Sequence, residues 1–300
     1  MTADTPAIRH LVISGGVVYG YAFYGCLRRL AERGVWRAED LRSIYATSIG
    51  SLFAVVLALR LDWAVVDAYL VDRPWHTVFK IDLEAIMGCY ARRGIFGVRV
   101  MEQALAPLFG ARGLSVDITL REFFEETRID IHCFATALSD FSLVDISHAT
   151  HPDWRVVDAV YVSCSVPILF APLARDGEWY LDGGFLANYP LALCLASAHR
   201  PGPGEVLGVS IAKADVVLDA DEASLFDYLS CILAKFVNRV LNRPSPAIEH
   251  EVLVAPTDIY MHDIHGFVNS PEKRRALIAH GEKTAGEFLE SRASAGADEG

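Results

Sequence analysis

The sequence lacks an apolar run long enough to cross a membrane. Its most apolar segment, residues 49–71, is interrupted by the charged residues Arg60, Asp62 and Asp67, whereas a spanning helix needs about 20 consecutive apolar residues. The apolar run at residues 11–13 is likewise too short for the core of a signal peptide. We therefore expect a cytoplasmic protein whose contact with membranes, where it has any, is peripheral.

The sequence also lacks an excess of basic residues. It has 27 Lys and Arg against 38 Asp and Glu, which gives a formal net charge of −11 at pH 7. A protein whose main partner is nucleic acid neutralises phosphates with clustered Lys and Arg. No such cluster is present, so we predict that nucleic acid is not a partner.

The cysteines lack the spacing of a metal site or of a disulfide framework. None of the six belongs to a C-x-x-C pair. The His-x-x-His pairs at 148/151 and 262/265 are more typical of solvated loops than of zinc sites. We predict buried thiols in a reducing compartment, with no bound metal and no cofactor. The six are Cys26, Cys89, Cys133, Cys164, Cys194 and Cys231.

What the sequence does contain is the pattern of a large α/β domain. The 300 residues are 52% hydrophobic, which is enough to bury one large core, and we place a single domain at residues 8–290. The apolar run at residues 8–14 ends in two glycines, and residues 20–33 follow with apolar side chains at helical spacing. An apolar strand at residues 44–47 precedes another helical segment. Two successive strand–turn–helix units predict a mostly parallel sheet flanked by helices.

The rest of the chain predicts further strands and helices around this beginning. Residues 62–113 are helical in pattern but broken by proline and glycine, and we interpret them as a helical insertion and a candidate lid. Its aromatic residues either line an acyl-chain site or fill the core. An amphipathic helix at 222–241 and a closing helix at 272–289 precede a predicted disordered tail at 291–300. Further strands are predicted at 131–138, 143–146, 179–181, 206–211 and 252–255.

A strand, a tight turn and a helix are predicted around Ser48. Ala46 and Gly50 flank this serine two residues to either side, so only small side chains lie beside it in the turn. The spacing is that of the G-x-S-x-G nucleophile elbow, with alanine in place of the first glycine. Ser48 is therefore a candidate nucleophile, although a serine in this position also serves as an ordinary helix N-cap.

Two turns elsewhere in the chain provide the other groups that acyl transfer needs. Gly15 and Gly16 follow the first strand, and Asp182 follows a later one at the start of an Asp-Gly-Gly turn. A serine nucleophile needs a base that takes its proton, and the resulting oxyanion needs backbone N–H donors. The glycine turn is also compatible with an ordinary strand-to-helix connection or a phosphate-binding loop, and Asp-Gly-Gly with a hairpin turn.

Taken in order, these motifs resemble those of the patatin-like phospholipase family. Residues 14–20 (Ser-Gly-Gly-Val-Val-Tyr-Gly) are similar to its glycine-rich oxyanion loop. Residues 46–50 (Ala-Thr-Ser-Ile-Gly) are similar to its nucleophile elbow, and residues 182–184 (Asp-Gly-Gly) to its dyad aspartate. Residues 160–167 look like its Ala-Ser-x-x-x-Pro segment, and a Tyr-Pro pair at 189–190 follows the aspartate as in the family.

The resemblance, which covers about residues 8–195, implies a three-layer α/β fold with a mostly parallel central sheet. It also implies a hydrolase of lipid or phospholipid esters in which Ser48 attacks the carbonyl carbon and Asp182 is the general base. Backbone N–H groups would hold the oxyanion, and further glycines would support the turns. The implied oxyanion-hole residues are Gly15, Gly16, Val17 and Ile49, and the supporting glycines are Gly20, Gly50, Gly183 and Gly184.

Two positions depart from the family pattern and leave alternatives open. Val17 stands where the family usually has a third glycine, and Tyr19 where it has a basic residue; valine adopts positive φ poorly. The alternatives are a catalytically weak or silent member that binds lipid or a protein partner, and a general carboxylesterase for soluble esters. Ser48, Asp182 and His265 also follow the order of an α/β-hydrolase triad, but too few strands precede Ser48 for that fold. The sequence leaves the oligomeric state open.

Overall fold

The chain alternates strands and helices in the computed structural model, which describes residues 7–212, 228, 235, 246–257 and 264–298. The strands are β1 (His10–Ile13), β2 (Ser43–Thr47), β3 (Gly94–Phe96), β4 (Asp130–Ala137), β5 (Leu143–Ile146), β6 (Ile168–Phe170), β7 (Ala174–Arg175), β8 (Glu178–Asp182), β9 (Val206–Ile211) and β10 (His250–Val254). The helices are α1 (Gly20–Glu32), α2 (Ile49–Ala58), α3 (Trp63–Asp72), α4 (Leu83–Arg92), α5 (Arg99–Ala111), α6 (Leu120–Thr127), α7 (Val156–Ser163), α8 (Gly184–Ala187), α9 (Leu191–Leu195), α10 (Ile264–Asn269) and α11 (Pro271–Asp298).

The main sheet is mostly parallel, as the sequence predicts. Its strand order is β10-β9-β1-β2-β4-β8-β7, and β5 also pairs with β4. The strands from β10 to β4 in this order are parallel to their neighbours, whereas β5, β7 and β8 pair antiparallel. Parallel sheets are built from short, buried strands that are connected through helices.

Helices cover both faces of this sheet. In β1, Leu11 and Ile13 pack into the larger apolar cluster together with Phe23 of α1, while Val12 packs on the other face with Leu191 of α9. This alternation follows from the pleat of a strand, which turns successive side chains to opposite faces. The predicted three-layer α/β fold is confirmed. Among the described residues, every helix is too short or too polar to cross a bilayer.

The insertion at residues 62–113 is less uniformly helical than predicted. It contains β3, which pairs parallel with β6 in a separate two-stranded sheet. A Cβ on Gly94 would lie only 2.2 Å from the backbone nitrogen of Ala171, so the glycine allows the two backbones to approach. Trp75 and Phe96 are buried, which means that these aromatic residues of the insertion fill the core.

The C-terminal helix is longer than predicted. Helix α11 continues to Asp298, so the expectation of a disordered tail from residue 291 is wrong over most of that range. Arg292 anchors the extension: its guanidinium donates to the Glu249 carbonyl oxygen at 3.2 Å and lies 5.7 Å from the centre of the Phe288 ring. The predicted helix at 222–241 lies outside the described residues, apart from helical positions 228 and 235.

Candidate active site

Ser48 occupies the turn between β2 and α2. Its backbone has φ 56° and ψ −131°, a conformation that a non-glycine residue keeps only when its surroundings hold it there. Gly50 permits the tight turn, because a Cβ at this position would lie 2.7 Å from the carbonyl oxygens of Ile13 and Ser14. Ser48 is thereby held at the N-terminus of α2 in the arrangement of a nucleophile elbow.

The pairing of β4 brings the ends of β2 and β8 together. Thr47, the last residue of β2, pairs with Phe134, and Asp182, the last residue of β8, pairs with the next residue, Ala135. Both strands use the same edge of β4, because β5 occupies the other edge over this stretch. The two strands therefore approach each other end to end, and Ser48 lies beside Asp182.

Asp182 carries a buried carboxylate with few partners. Its Oδ1 accepts the Gly184 N–H at 2.6 Å, whereas Oδ2 has no partner in ordinary hydrogen-bond geometry among the described residues. Burial raises the pKa of Asp182 from 3.8 to about 6, and hydrogen bonds from the Ser48 hydroxyl and the Gly184 N–H oppose this rise. The Ser48 hydroxyl is thus close enough to the carboxylate to lower its pKa.

The electrostatics of Asp182 suit a general base. Within the described part of the chain, no cationic side chain contributes to its pKa. A salt bridge to Lys or Arg would lower that pKa and make the carboxylate a weaker base. Burial without such a partner instead makes the carboxylate a better proton acceptor near neutral pH.

The glycine-rich loop between β1 and α1 lies against Ser48. A Cβ on Gly15 would come within 3.1 Å of the Ser48 Cβ and 2.4 Å of the Asn188 Oδ1, so this approach requires glycine. Val17 has φ 49°, in the left-handed region that glycine enters most readily. The valine therefore keeps the backbone conformation that a glycine at position 17 would adopt easily.

The N–H groups expected to form the oxyanion hole differ in their availability. The Gly15 N–H donates to the Asn188 carbonyl oxygen at 2.9 Å, so Gly15 has no free N–H for a substrate, contrary to the expectation from the sequence. Among the described residues, the N–H groups of Gly16, Val17 and Ile49 have no acceptor. An oxyanion hole needs backbone N–H donors that have no other acceptor, as these three do among the described residues.

Tyr19, which replaces a basic residue of the family pattern, ties the loop to the rest of the fold. The side chain is buried, and its hydroxyl accepts the Thr257 N–H at 2.7 Å. The same hydroxyl lies 3.3 Å from the Thr257 carbonyl oxygen. Tyr19 thus fixes the end of the glycine-rich loop to the segment that follows β10.

Ser163 supports the elbow, a role that the sequence analysis missed. Its Oγ accepts the Ser48 N–H at 3.0 Å and donates to the Phe134 carbonyl oxygen at 2.6 Å. It also lies 2.9 Å from the Ser51 Oγ. The signal was present, since Ser163 belongs to the segment that resembles Ala-Ser-x-x-x-Pro, but that motif gives no indication of a contact with Ser48.

Cys164 is a second neighbour of Ser48 that the sequence analysis did not single out. Burial raises the pKa of this thiol well above its ordinary value, the nearby charge of Asp182 adds to the rise, and a hydrogen bond with Ser48 opposes it. Cys164 therefore remains a neutral thiol beside the serine, and it is too weakly acidic to act as a nucleophile itself.

The structure describes the surroundings of some of the histidines considered as alternatives. His148 pairs with Asp130, with 2.7 Å between Nδ1 and Oδ1, and the side chain of His265 lies outside the described residues. In the part of the chain that the structure describes, no group of three or more His, Cys, Asp or Glu side chains is arranged to hold a metal ion.

Comparison with known proteins gives a family match over most of the elements described above. A family model described as patatin-like phospholipase matches residues 11–195. The match begins in β1 and ends in α9, so it includes the glycine-rich loop, Ser48 and Asp182.

The proteins similar to the chain include two curated proteins and one solved structure. A probable lipid hydrolase of Invertebrate iridescent virus 6 is 22% identical over 187 residues, 62% of this chain and 62% of that protein. A lysophospholipase of Scheffersomyces stipitis is 28% identical over 262 residues, 84% of this chain but 14% of that protein. The crystal structure of VipD from Legionella pneumophila has a TM-score of 0.55 at 18% identity, covering 95% of this chain and 67% of that one; this likeness concerns the fold alone.

Proposed function

Because this chain belongs to the patatin-like phospholipase family, we propose that it hydrolyses carboxylic esters of lipids with Ser48 as nucleophile and Asp182 as general base. The observation that carries the proposal is the juxtaposition of a serine in a strained elbow and a buried carboxylate whose pKa is raised to about 6. The names of the relatives, a probable lipid hydrolase and a lysophospholipase, support an ester of a lipid as the substrate.

In the first half of the proposed reaction, Asp182 accepts the proton of the Ser48 hydroxyl while Oγ attacks the carbonyl carbon of the ester. The negative charge that develops on the carbonyl oxygen is stabilised by the N–H groups of Gly16, Val17 and Ile49. Collapse of this intermediate breaks the bond to the leaving alcohol, which takes the proton from Asp182. An acyl group then remains on Ser48.

In the second half of the proposed reaction, a water molecule takes the place of the alcohol that has left. Asp182 accepts a proton from the water molecule, whose oxygen attacks the acyl carbon. Collapse of the second tetrahedral intermediate breaks the bond between the acyl carbon and the Ser48 oxygen, which takes the proton back from Asp182 as the carboxylic acid leaves. Neither half needs a histidine, because the same carboxylate accepts and returns the proton.

The conformation of Val17 favours this proposal over a catalytically silent member. Valine in place of glycine was the reason to suspect a reshaped oxyanion loop. The φ of 49° at Val17 and the unused N–H groups of Gly16 and Val17 support a loop that still presents its donors.

The proposal is tested by measuring hydrolysis of a fluorogenic phospholipid by the wild type, Ser48→Ala and Asp182→Asn. We expect both variants to lose activity by about 10³-fold or more, as loss of a nucleophile or its base does in other serine hydrolases. Ser147→Ala is the matched control, since this buried serine bonds with Thr150 away from the site, and it should retain activity. Equal turnover by the wild type and both site variants would refute the proposal.

A general carboxylesterase for soluble esters is distinguished by its response to substrate aggregation. A lipid hydrolase should accelerate when a short-chain phospholipid passes its critical micelle concentration. A rate that saturates smoothly through that concentration, together with faster turnover of monomeric esters, would favour the esterase.

A further inference from the structure

Helix α4 turns its apolar side to the solvent. Leu83, Ile86, Met87 and Tyr90 are 71%, 56%, 73% and 96% exposed. Their spacing of three and four residues places them on one side of the helix, as an apolar stripe. Such a stripe normally faces the core, so α4 is inverted relative to an ordinary surface helix.

Helix α4 has well-defined ends, although its apolar side faces the solvent. The Asp82 carboxylate caps the N-terminus by accepting the Ala85 N–H at 2.8 Å, and Arg93 ends the helix in a left-handed conformation. On the other side, the Cys89 thiol lies 3.9 Å from the Ile168 carbonyl oxygen. Helix α4 therefore packs on the protein through its partly buried side, and no described residue covers the apolar stripe.

The chain connects α4 closely to the candidate active site. β3, directly after α4, pairs with β6, and β6 follows the segment in which Ser163 accepts the Ser48 N–H. Helix α4 is therefore connected, through β3 and β6, to the segment that supports Ser48.

Two arginines at the C-terminal end of α4 complete the surface. Arg92 and Arg93 are exposed. The Arg92 guanidinium donates to the Ala85 carbonyl oxygen at 3.1 Å, and neither arginine has a carboxylate partner among the described residues. The Arg93 guanidinium lies 4.8 Å from the centre of the Trp179 ring. An apolar stripe next to a tyrosine and to arginines without a carboxylate partner matches the chemistry of a bilayer interface, where acyl chains, carbonyl groups and phosphates follow one another with depth.

We propose that α4 is a docking helix whose stripe inserts into the interfacial region of a phospholipid bilayer, with Arg92 and Arg93 at the headgroup phosphates. The choice of a lipid surface rests on the proposed function. The size of the stripe also favours lipid over protein, because its four exposed residues offer roughly 600 Å², less than the about 800 Å² per partner of a typical stable protein interface. Shallow insertion into a bilayer needs no matching partner surface.

The test is binding of the full chain to vesicles, measured by flotation in the Ser48→Ala background so that hydrolysis plays no part. One vesicle type is phosphatidylcholine alone, and the other contains about one-fifth phosphatidylserine, which makes its surface negative. We expect binding to both, tighter to the second. The triple variant Leu83→Gln, Ile86→Gln and Met87→Gln should weaken binding by about tenfold or more, since these side chains supply most of the inserted apolar area.

A matched control replaces exposed apolar residues that lie outside the stripe. Val65 and Leu253 are about half exposed, and a Val65→Gln and Leu253→Gln double variant should bind vesicles like its parent. Arg92→Gln with Arg93→Gln should remove the preference for phosphatidylserine. Equal vesicle binding by the triple variant and its parent would overturn the proposal, as would loss of a dimer in the triple variant with no change in vesicle binding.

This experiment separates the docking helix from the proposed catalysis. If vesicle binding depends on α4 while the wild type hydrolyses no ester, the proposed function fails and the docking helix stands. If the wild type hydrolyses lipid but the triple variant binds vesicles normally, the docking helix fails and the proposed function stands. In either case, circular dichroism confirms that the triple variant is folded.

Discussion

Val17 departs from the family motif, yet its backbone lies in the left-handed region that glycine enters most readily. Its φ of 49° is strained for a β-branched side chain. The neighbours hold this conformation: the Tyr19 N–H donates to the Gly16 carbonyl oxygen at 2.9 Å, and the Tyr19 hydroxyl is bound to Thr257. Valine in place of glycine at position 17 therefore strains the local backbone.

Substitution of this valine by glycine tests that interpretation. Val17→Gly relieves strain of about 1–2 kcal/mol but adds flexibility worth about 0.5–1 kcal/mol to the unfolded chain. We expect a slightly higher melting temperature and lipid hydrolysis within a few-fold of wild type. A gain in hydrolysis of about 10² or more would instead show that valine had disabled the oxyanion hole.

The carboxyl group of Asp182 should set the acid limb of the pH profile. A general base works only when it is unprotonated, and burial raises its pKa to about 6. We therefore expect kcat/KM to fall about tenfold per pH unit below that value, with the loss of one catalytic carboxylate. The measurement is kcat/KM on a soluble ester from about pH 4 to about pH 8; a flat profile across that range would exclude Asp182 as the base.

Ser163 should stabilise the elbow through one hydrogen bond. Ser163→Ala leaves the buried N–H of Ser48 without its acceptor, which costs about 1–3 kcal/mol in the free energy of unfolding. We expect a lower melting temperature and a reduced kcat with little change in KM. Ser165→Ala is the matched control, because the Ser165 hydroxyl bonds with the Tyr161 carbonyl oxygen. If the two variants cannot be distinguished in kcat, Ser163 has no positioning role.

At the scale of elements, the sequence predicted which strands exist better than how they pair. The predicted strands and turns depend on local features of the sequence. These are the apolar runs of β1, β2, β5 and β9 and the turns that follow β2 and β8. β8 pairs with the part of the β4 edge that β2 leaves unpaired. This is a tertiary arrangement, which the hydrophobic periodicity of the sequence does not encode. Helix α6 was missed although Thr119 and Glu122 form a capping box at its start, a signal that the sequence does carry.

The contact between β4 and β5 makes stability depend on pH in the alkaline range. Burial would lower the pKa of His132, but hydrogen bonds and charges from Asp130 and Asp145 outweigh it and raise the pKa from 6.5 to about 9. A histidine with a raised pKa stabilises the fold fully below its unfolded value, and this stabilisation is lost as the pH rises through about 9.

His132→Gln measures this contribution. The free energy of unfolding of the wild type should fall by about 1–3 kcal/mol more than that of the variant between about pH 7 and about pH 10. Urea denaturation at these pH values gives both quantities. Parallel pH dependence in the two proteins would mean that His132 carries no excess charge in the folded state.

At the scale of the whole molecule, the sequence predicted the proposed catalytic pair but not the residues that support it. Ser48 and Asp182 lie in short motifs with turn glycines, so they could be found without a structure. The bond between Ser163 and Ser48 spans 115 positions of sequence, and the Asn188 carbonyl that occupies the Gly15 N–H belongs to the backbone, which any residue type would provide. The outward side of α4 was equally hidden, because periodicity shows that a helix has an apolar side but not where that side points.

The most direct test of the central claim is covalent labelling of the intact protein by a fluorophosphonate, followed by mass spectrometry of the peptides. We predict one adduct, on the Ser48 oxygen, that is absent in Ser48→Ala and forms at least about 10²-fold more slowly in Asp182→Asn, since the base activates the nucleophile. Cys164 should remain unmodified in all three proteins, because its pKa is raised well above the ordinary value. Failure of folded wild-type protein to label at Ser48, or labelling at an equal rate without the Asp182 carboxylate, would contradict a Ser48–Asp182 dyad.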